Sequence, residues 1–443
     1  MKTALLLFDD FSPPRLINGK PPLTSMSHDF NLFQFAHEAR RNGIKPYYAT
    51  VSTYYGIGSR LCHSIEAVYP TLQTGQDACT MRDLDPDMVL CCHPQRFNYD
   101  YAPRAIKVGI HPAIYMVEMP DLYDSQKTFD LLKAVRHNID YFIVQNERMK
   151  EILVAMYGWL AKWDDPDRIL VSPLGLVPEE ETLVDRTAAR TAMGCGPEEI
   201  MILNGGGVWR WTGFNEFLAG FVKAVRGGAK NLTLAMSGLR QTENTDHGDY
   251  IAETNKILAA NADIVGDRFD AKSPADRSRI RIHAEMDWDR ASRNLPTMLA
   301  AADLGLNVNR DGLENWQAHR VRCLSYARYG LPLLSTPGDA LSEGVLRPCT
   351  IRLPSLDESE IAQALLSLSR APRQVADART RAASVRPLLS STRGMGRAVL
   401  ALAEGARRPN RDARMSLFEV TQDRREHAAK LGMVDFVLER LKP

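Results

Sequence analysis

The chain is poor in the features that mark secreted, membrane-spanning or nucleic-acid-binding proteins. Its 443 residues hold only 7 cysteines, an odd number with no C-x-x-C spacing, and the one close pair, Cys91 and Cys92, sits inside an apolar run. That excludes a disulfide scaffold and a two-cysteine redox or zinc motif, and predicts reduced core thiols in a cytoplasmic protein. Long apolar runs are missing as well. The run from Ala4 to Phe8 is broken at once by Asp9 and Asp10, too short for a signal peptide or a membrane span, and reads as a buried first strand. Charge of one sign is also lacking: 55 Lys and Arg face 54 Asp and Glu. With no global positive field, nucleic acid is not an expected partner, and any anion must be bound locally. Internal repeats and low-complexity segments are absent.

What is present is ordinary globular composition, 44% apolar and 25% charged, in a chain long enough for two or three cores. Apolar runs alternate with helical patterns, the signature of parallel sheets covered by helices, and the fold class is α/β. Strands are predicted at 3–8, 46–51, 88–92, 114–118, 141–145 and 169–174 in a first half. A second alternation has strands at 200–203, 231–237, 280–284, 304–307 and 332–335. Between them, Val177 to Glu199 is acidic and interrupted by Gly194, Gly196 and Pro197, as an interdomain connection would be. The expected division is 1–185, 198–385, and a helical, locally basic segment 386–443 that packs back across the domains.

The most informative stretch runs from Ile200 to Val225. An apolar strand enters Asn204-Gly205-Gly206-Gly207-Val208-Trp209-Arg210-Trp211-Thr212-Gly213 and then a helix whose residues Phe214, Phe217, Leu218, Phe221, Val222 and Val225 share one face. Glycines between strand and helix let a backbone approach a phosphate, and free N–H groups at a helix start favour negative charge. Arg210 would add a positive charge. The competing reading is a tight turn with tryptophans packed on a domain edge. G-x-G-x-x-G spacing is absent, which excludes a nicotinamide fingerprint.

A second constellation runs from Ala301 through Asn309, Arg310, Asp311 and Glu314 to Arg320, Arg322 and the Gly330-Leu331-Pro332 turn. Its strand ends in polar residues, where ligands of open parallel sheets bind, so Asn309, Arg310, Asp311 and Glu314 are placed to hydrogen-bond sugar hydroxyls. Arg320 and Arg322 are two apart and point in different directions if helical. A guanidinium fork suits a pair of diphosphate oxygens, whereas the plainer reading makes both arginines ion-pair partners. In the first half, His93, Glu118 and Asp121 follow strands and could orient or deprotonate an acceptor hydroxyl; a structural histidine is the alternative at position 93. Asp287-Trp288-Asp289 has the D-x-D form of a cation site, but Asp85-Pro86-Asp87 and Asp165-Pro166-Asp167 share it and read as turns, so no metal is expected.

Together the two stretches resemble the donor domain of retaining GT-B glycosyltransferases, in the large glycosyltransferase family 4 of bacterial polysaccharide and lipid glycosyltransferases. The Gly-Gly-Gly-Val-Trp-Arg-Trp turn resembles the family's glycine-rich loop. Ala302-Asp303 with Glu314 resembles its sugar-binding segment, and Tyr326 to Pro332, with Leu334 to Asp339 and Glu343, its Gly-x-Pro turn and following loop. Pro120 to Asp124, Gln145 to Arg148 and Ser172 to Gly175 are similar to its N-terminal domain. The resemblance covers roughly residues 85 to 345. It implies two facing Rossmann-like domains and a nucleotide-sugar donor with no further cofactor. It also implies metal-independent transfer with retention to a glycan, lipid-linked or protein acceptor. Arg320, Arg322, Glu118, Asp121 and His93 would then act in catalysis, and Gly206, Gly207, Trp209, Arg210, Asn309, Asp311 and Glu314 in donor binding. The arginines at 407 to 414 leave a peripheral membrane contact open. The chain departs from the family at Thr212, where a lysine is common, and at Ser325, where the second acid of a paired-glutamate motif would hold the donor ribose. A catalytically degenerate GT-B-like binding protein and a sugar-nucleotide epimerase are the alternatives.

Overall fold

The computed structural model describes residues 2–8, 27–50, 61–64, 79–80, 87–91, 113–116, 141–161, 169–176, 183–237, 248–266, 279–283 and 288–403. The chain divides into two compact units, one of Met1–Pro178 with Ser390–Pro443, the other of Glu179–Leu389. No helix among the described residues is long and apolar enough to cross a membrane.

The first unit holds β1 (Lys2–Phe8), β2 (Ile44–Thr50), β3 (Leu61–Ser64), β4 (Cys79–Thr80), β5 (Met88–Cys91), β6 (Ala113–Met116), β7 (Tyr141–Val144) and β8 (Ile169–Val171). They form one sheet in the order β4-β3-β2-β1-β5-β6-β7-β8. Every pairing from β2 to β8 is parallel, while β3 and β4 add an antiparallel edge that hydrophobic periodicity did not reveal. Helices α1 (Ser27–Arg41) and α2 (Glu147–Ala161) accompany this sheet. α1 buries Phe35, Ala36 and Ala39. Two polar residues are buried beside them. Gln34 exchanges both amide hydrogen bonds with the backbone of Gly175, and the Glu38 carboxylate accepts the Ser391 hydroxyl at 2.6 Å. Buried polar groups of this kind are tolerated because each is paired.

The second unit begins with α3 (Arg186–Ala192) and holds β9 (Ile200–Asn204), α4 (Phe214–Arg226), β10 (Leu232–Ser237), α5 (Gly248–Ala260), β11 (Val265–Gly266), β12 (Ile280–His283), α6 (Trp288–Ala301) and β13 (Leu304–Asn307). It continues through α7 (Leu313–Gln317), α8 (Val321–Arg328), β14 (Leu333–Ser335), α9 (Ala340–Glu343), β15 (Thr350–Arg352), α10 (Glu358–Arg370) and α11 (Pro372–Val385). The chain then re-enters the first unit with α12 (Met395–Ala403), which packs on α1. The second sheet has the order β11-β12-β10-β9-β13-β14-β15 and every pairing in it is parallel. Strands covered on both faces need unbroken apolar sequence, and all five residues of β9 are buried. α4 follows its predicted face: Phe214, Phe217, Leu218 and Phe221 are buried in the core, each worth about 1.5–3 kcal/mol of burial. Gly220 lets α10 approach α4, since a Cβ there would lie 2.6 Å from Ile361.

Three arginines fasten α3 to the amino end of β13. Arg186 and Arg190 pair with Asp303 at 2.5 and 2.9 Å, and with Arg379 they also donate to the last carbonyls around α6, at Ala301 and Ala302. Cations suit a helix C-terminus. Their crowding shows at Arg379, whose pKa is pushed down to about 10, first by burial and then by Arg186. Asp303, part of the segment whose resemblance implied sugar binding, therefore does structural work here, at the strand end remote from the polar residues 307–309.

Candidate functional site

β9 lies between β10 and β13, so the chain reverses its direction of travel across the sheet between β9 and β13. Such a switch point leaves a crevice at the carboxyl ends of the strands, where open α/β sheets take ligands. Both sequence constellations come together there, Gly205 to Gly207 after β9 and Asn309 after β13.

The three glycines of the turn have no left-handed φ; each instead clears space for one neighbouring side chain. A Cβ on Gly205 would lie 3.1 Å from the Tyr326 ring, on Gly206 3.2 Å from the Arg322 guanidinium carbon, and on Gly207 2.7 Å from the Trp209 indole nitrogen. The turn is thus lined by protein side chains. The N–H groups of Gly206 and Gly207 donate to no described residue. Left-handed backbone is needed only at Gly213, φ 60°, where the chain enters α4.

Tyr326, on α8, braces this turn. Its buried hydroxyl accepts the Gly205 N–H at 2.8 Å and lies 3.1 and 3.2 Å from the carbonyls of Leu203 and Leu306, on β9 and β13. Burial raises the phenol well above its ordinary value, so it stays a neutral donor. Tyr326→Phe should cost about 1–3 kcal/mol, the penalty of a buried N–H left without its acceptor; unchanged urea unfolding of that variant would contradict the bracing role.

The two arginines of the second constellation separate. Arg320 is not on the helix; it precedes α8 with extended backbone (φ −69°, ψ 104°). There it makes a two-pronged ion pair with Glu314, both contacts at 2.6 Å. Arg320 and Glu314 thus hold one another, which realises the ion-pair reading for Arg320, with the pair largely buried. Arg322, the second residue of α8, lies against Gly206 and makes no hydrogen bond or ion pair with a described residue. Burial, then the neighbouring Arg320 charge, pushes it below the usual arginine value, against the favourable influences of Tyr326 and Glu314.

The remaining residues divide between frame and surface. Asn309 is buried; its N–H reaches the Thr336 hydroxyl at 2.9 Å. Its neighbour Asn307 donates to Ser335 at 2.9 Å and to Asp339 at 2.8 Å. Asp339 in turn caps α9 through the Leu341 and Ser342 N–H groups, both at 3.0 Å. This network fixes the polar end of β13. Trp209 and Trp211 stack, with centroids 5.2 Å apart and planes within 5°, and Arg210 between them is exposed. Asp311 is exposed; Arg310 pairs with Glu216 and lies over the Tyr250 ring.

Two expectations are corrected here. The start of α4 does not offer all its N–H groups to a ligand, because the Asn215 N–H is taken by the Tyr250 hydroxyl at 2.9 Å. Thr212, the departure from the family's lysine, is buried, and its hydroxyl donates to the Trp209 carbonyl at 2.7 Å, so it shapes the turn from within. His93, Glu118, Asp121, Asp287 and the arginines at 407 to 414 lie outside the described residues. Sequence reasoning did not single out Tyr326 or Asp339 for these roles. The tyrosine's position four residues before the Gly330-Leu331 turn was the available signal, but its partners are distant in sequence.

Two α/β units, the second with a glycine turn at the switch point of its parallel sheet, have the GT-B architecture, and solved structures similar to this chain include glycosyltransferases of that fold. Among them is HepE of Anabaena in complex with UDP-glucose, 11% identical over 92% of this chain and 100% of that one, with a TM-score of 0.61. Sucrose-phosphate synthase of Thermosynechococcus elongatus is 11% identical over 91% and 98%, TM-score 0.58. WaaG, a glycosyltransferase involved in lipopolysaccharide biosynthesis, is 12% identical over 91% and 100%, TM-score 0.55. No sequence-family profile matches the chain, and no curated protein matches it in sequence.

Proposed function

We propose that the protein transfers a glycosyl group from a nucleoside diphosphate sugar to an acceptor hydroxyl, with retention of configuration and without a metal ion. The observation that carries this reading is the glycine turn at the switch point, where the Gly206 and Gly207 N–H groups have no described acceptor. Its setting is a fold shared with proteins solved with UDP or UDP-glucose. In the reaction, the bond between the anomeric carbon and a diphosphate oxygen breaks and its electron pair passes to that oxygen. The acceptor oxygen bonds to the same carbon, and its proton leaves with the diphosphate or to water. Negative charge grows on the leaving group, so preorganised N–H donors and cations aimed at it lower the barrier. Asp311, exposed beside the polar end of β13, is the proposed contact to the donor sugar. His93, Glu118 and Asp121 are the proposed acceptor-side groups.

The test is a thermal-shift screen against UDP-, GDP-, dTDP-, ADP- and CMP-sugars, followed by detection of the released nucleotide. One nucleotide family is expected to stabilise the protein by about 2.7 kcal/mol when present at roughly one hundred times its dissociation constant, with slow hydrolysis of that donor. Stabilisation without release over long incubation would support a binding protein that has lost turnover, and donor epimerisation with no acceptor present an epimerase. No shift with any of them would remove the donor reading.

A further inference from the structure

We propose that the cation of this site is Arg322, delivered from α8 across the space that Gly206 leaves open, and that Arg320 serves to keep Glu314 from neutralising it. The inference deepens the donor reading and rests on it for the identity of the natural ligand, a nucleoside diphosphate.

The argument starts from Gly206. Its backbone conformation is one any residue adopts, so what glycine provides here is space, and the Arg322 guanidinium carbon stands 3.2 Å from where a Cβ would be, closer than ordinary contact. The glycines after β9 therefore have beside them a guanidinium that comes from α8 and not from Arg210 of the turn itself, which is exposed. The charges around it do not balance. Arg320 is matched by Glu314 in a two-pronged contact that consumes both carboxylate oxygens. Arg322 has no described acid partner, and the second guanidinium beside it raises the cost of its charge. An anion arriving there would be bound by the Arg322 fork, by the Gly206 and Gly207 N–H groups, which have no acceptor among the described residues, and by the first turn of α8, which has no side-chain cap. Two phosphate groups fit such an array better than one, because the donors come from two separate segments, the turn and α8. The pairing also explains why the two arginines are not equivalent. Removing Arg320 would free the Glu314 carboxylate to seize Arg322.

The experiment is calorimetric titration of the full-length protein and its variants with two probes, inorganic pyrophosphate and UDP. Arg322→Ala is expected to weaken both by roughly 10- to 100-fold, as loss of charge-assisted hydrogen bonds does. Arg322→Lys, which keeps the charge and loses the fork, should fall between it and the wild type. Gly206→Arg should lose binding by crowding Arg322, and the double variant Gly206→Arg with Arg322→Ala should recover most of it, because the guanidinium then comes from the turn itself. Wild-type affinity for pyrophosphate in Arg322→Ala overturns the proposal, and so does failure of the wild type to bind pyrophosphate. If Arg322→Ala does not fold, Arg322→Lys decides, and affinity equal to wild type in that variant overturns it. The two readings fail separately: pyrophosphate bound through Arg322 with no nucleotide sugar bound keeps the anion site and sinks the donor assignment, whereas a nucleotide sugar bound independently of Arg322 does the reverse.

Discussion

Gly305→Ala, a single added methyl group, is expected to lower the melting temperature by roughly 10 °C and to weaken ligand binding at the glycine turn together with it. A Cβ on Gly305 would stand 2.3 Å from two atoms of the Tyr326 ring. The ring is fully buried, and its hydroxyl is tied to three backbone groups across β9 and β13, so it cannot rotate away without breaking them. Overpacking a core costs about 1–3 kcal/mol, and a buried N–H or carbonyl left without its partner costs about 1–3 kcal/mol more. In a domain of this size each kcal/mol moves the melting temperature by about 2–4 °C. The idea has a sharper check in a double-mutant cycle. Tyr326→Leu removes the ring that the methyl group strikes, so Gly305→Ala and Tyr326→Leu should combine to much less than the sum of their separate effects. Additive effects would mean that the two residues do not meet as described.

Asp303→Ala is expected to destabilise the second unit by about 3–5 kcal/mol, the range for breaking a largely buried ion pair by removing one partner. Its carboxylate is shared between Arg186, Arg190 and the Met201 N–H. Without it, the two guanidiniums and Arg379 face one another with only backbone carbonyls, those around Ala301 and Ala302 and, for Arg190, Gly196 and Glu199, to receive them. Arg186→Ala should cost far less, about 1 kcal/mol or below, because that arginine is the more exposed member of the cluster. Urea unfolding followed by tryptophan emission, with Trp209, Trp211, Trp288 and Trp316 in the second unit, would read the two variants side by side. Equal losses would contradict the central place given to Asp303.

The α/β class was legible because buried parallel strands write themselves as apolar runs. β13 falls on its predicted residues, 304 to 307, and most other predicted strands lie within a residue or two of their observed ends. The strands β3, β4, β11 and β15 were not legible, since none of them stands out as an apolar run of its own. The amphipathic face of α4 was readable for the opposite reason: over thirteen residues a 3.6-residue period cannot be mistaken. At the site, sequence could place the glycine turn and the two arginines but not sort them. Both arginines look alike in a linear reading, and only the ion pair with Glu314, six residues from Arg320, sets one aside. The three glycines looked like a single device for admitting a phosphate. In three dimensions each accommodates a different side chain, Tyr326, Arg322 or Trp209, and two of those come from more than a hundred residues further along the chain.

The placement of α12 has a consequence for how the protein is made. The second unit, Glu179–Leu389, is one uninterrupted stretch lying within the sequence of the first. A ribosome emitting about 5–20 residues per second therefore finishes the later unit before the earlier one can close. Until Ser391 emerges, the Glu38 carboxylate lacks the hydroxyl that satisfies it, and the α1 face that α12 covers stays open to water or to a chaperone for the whole time that the second unit is being synthesised. The vulnerable interval in the life of this chain thus belongs to its beginning, and its length is set by the span of the inserted half.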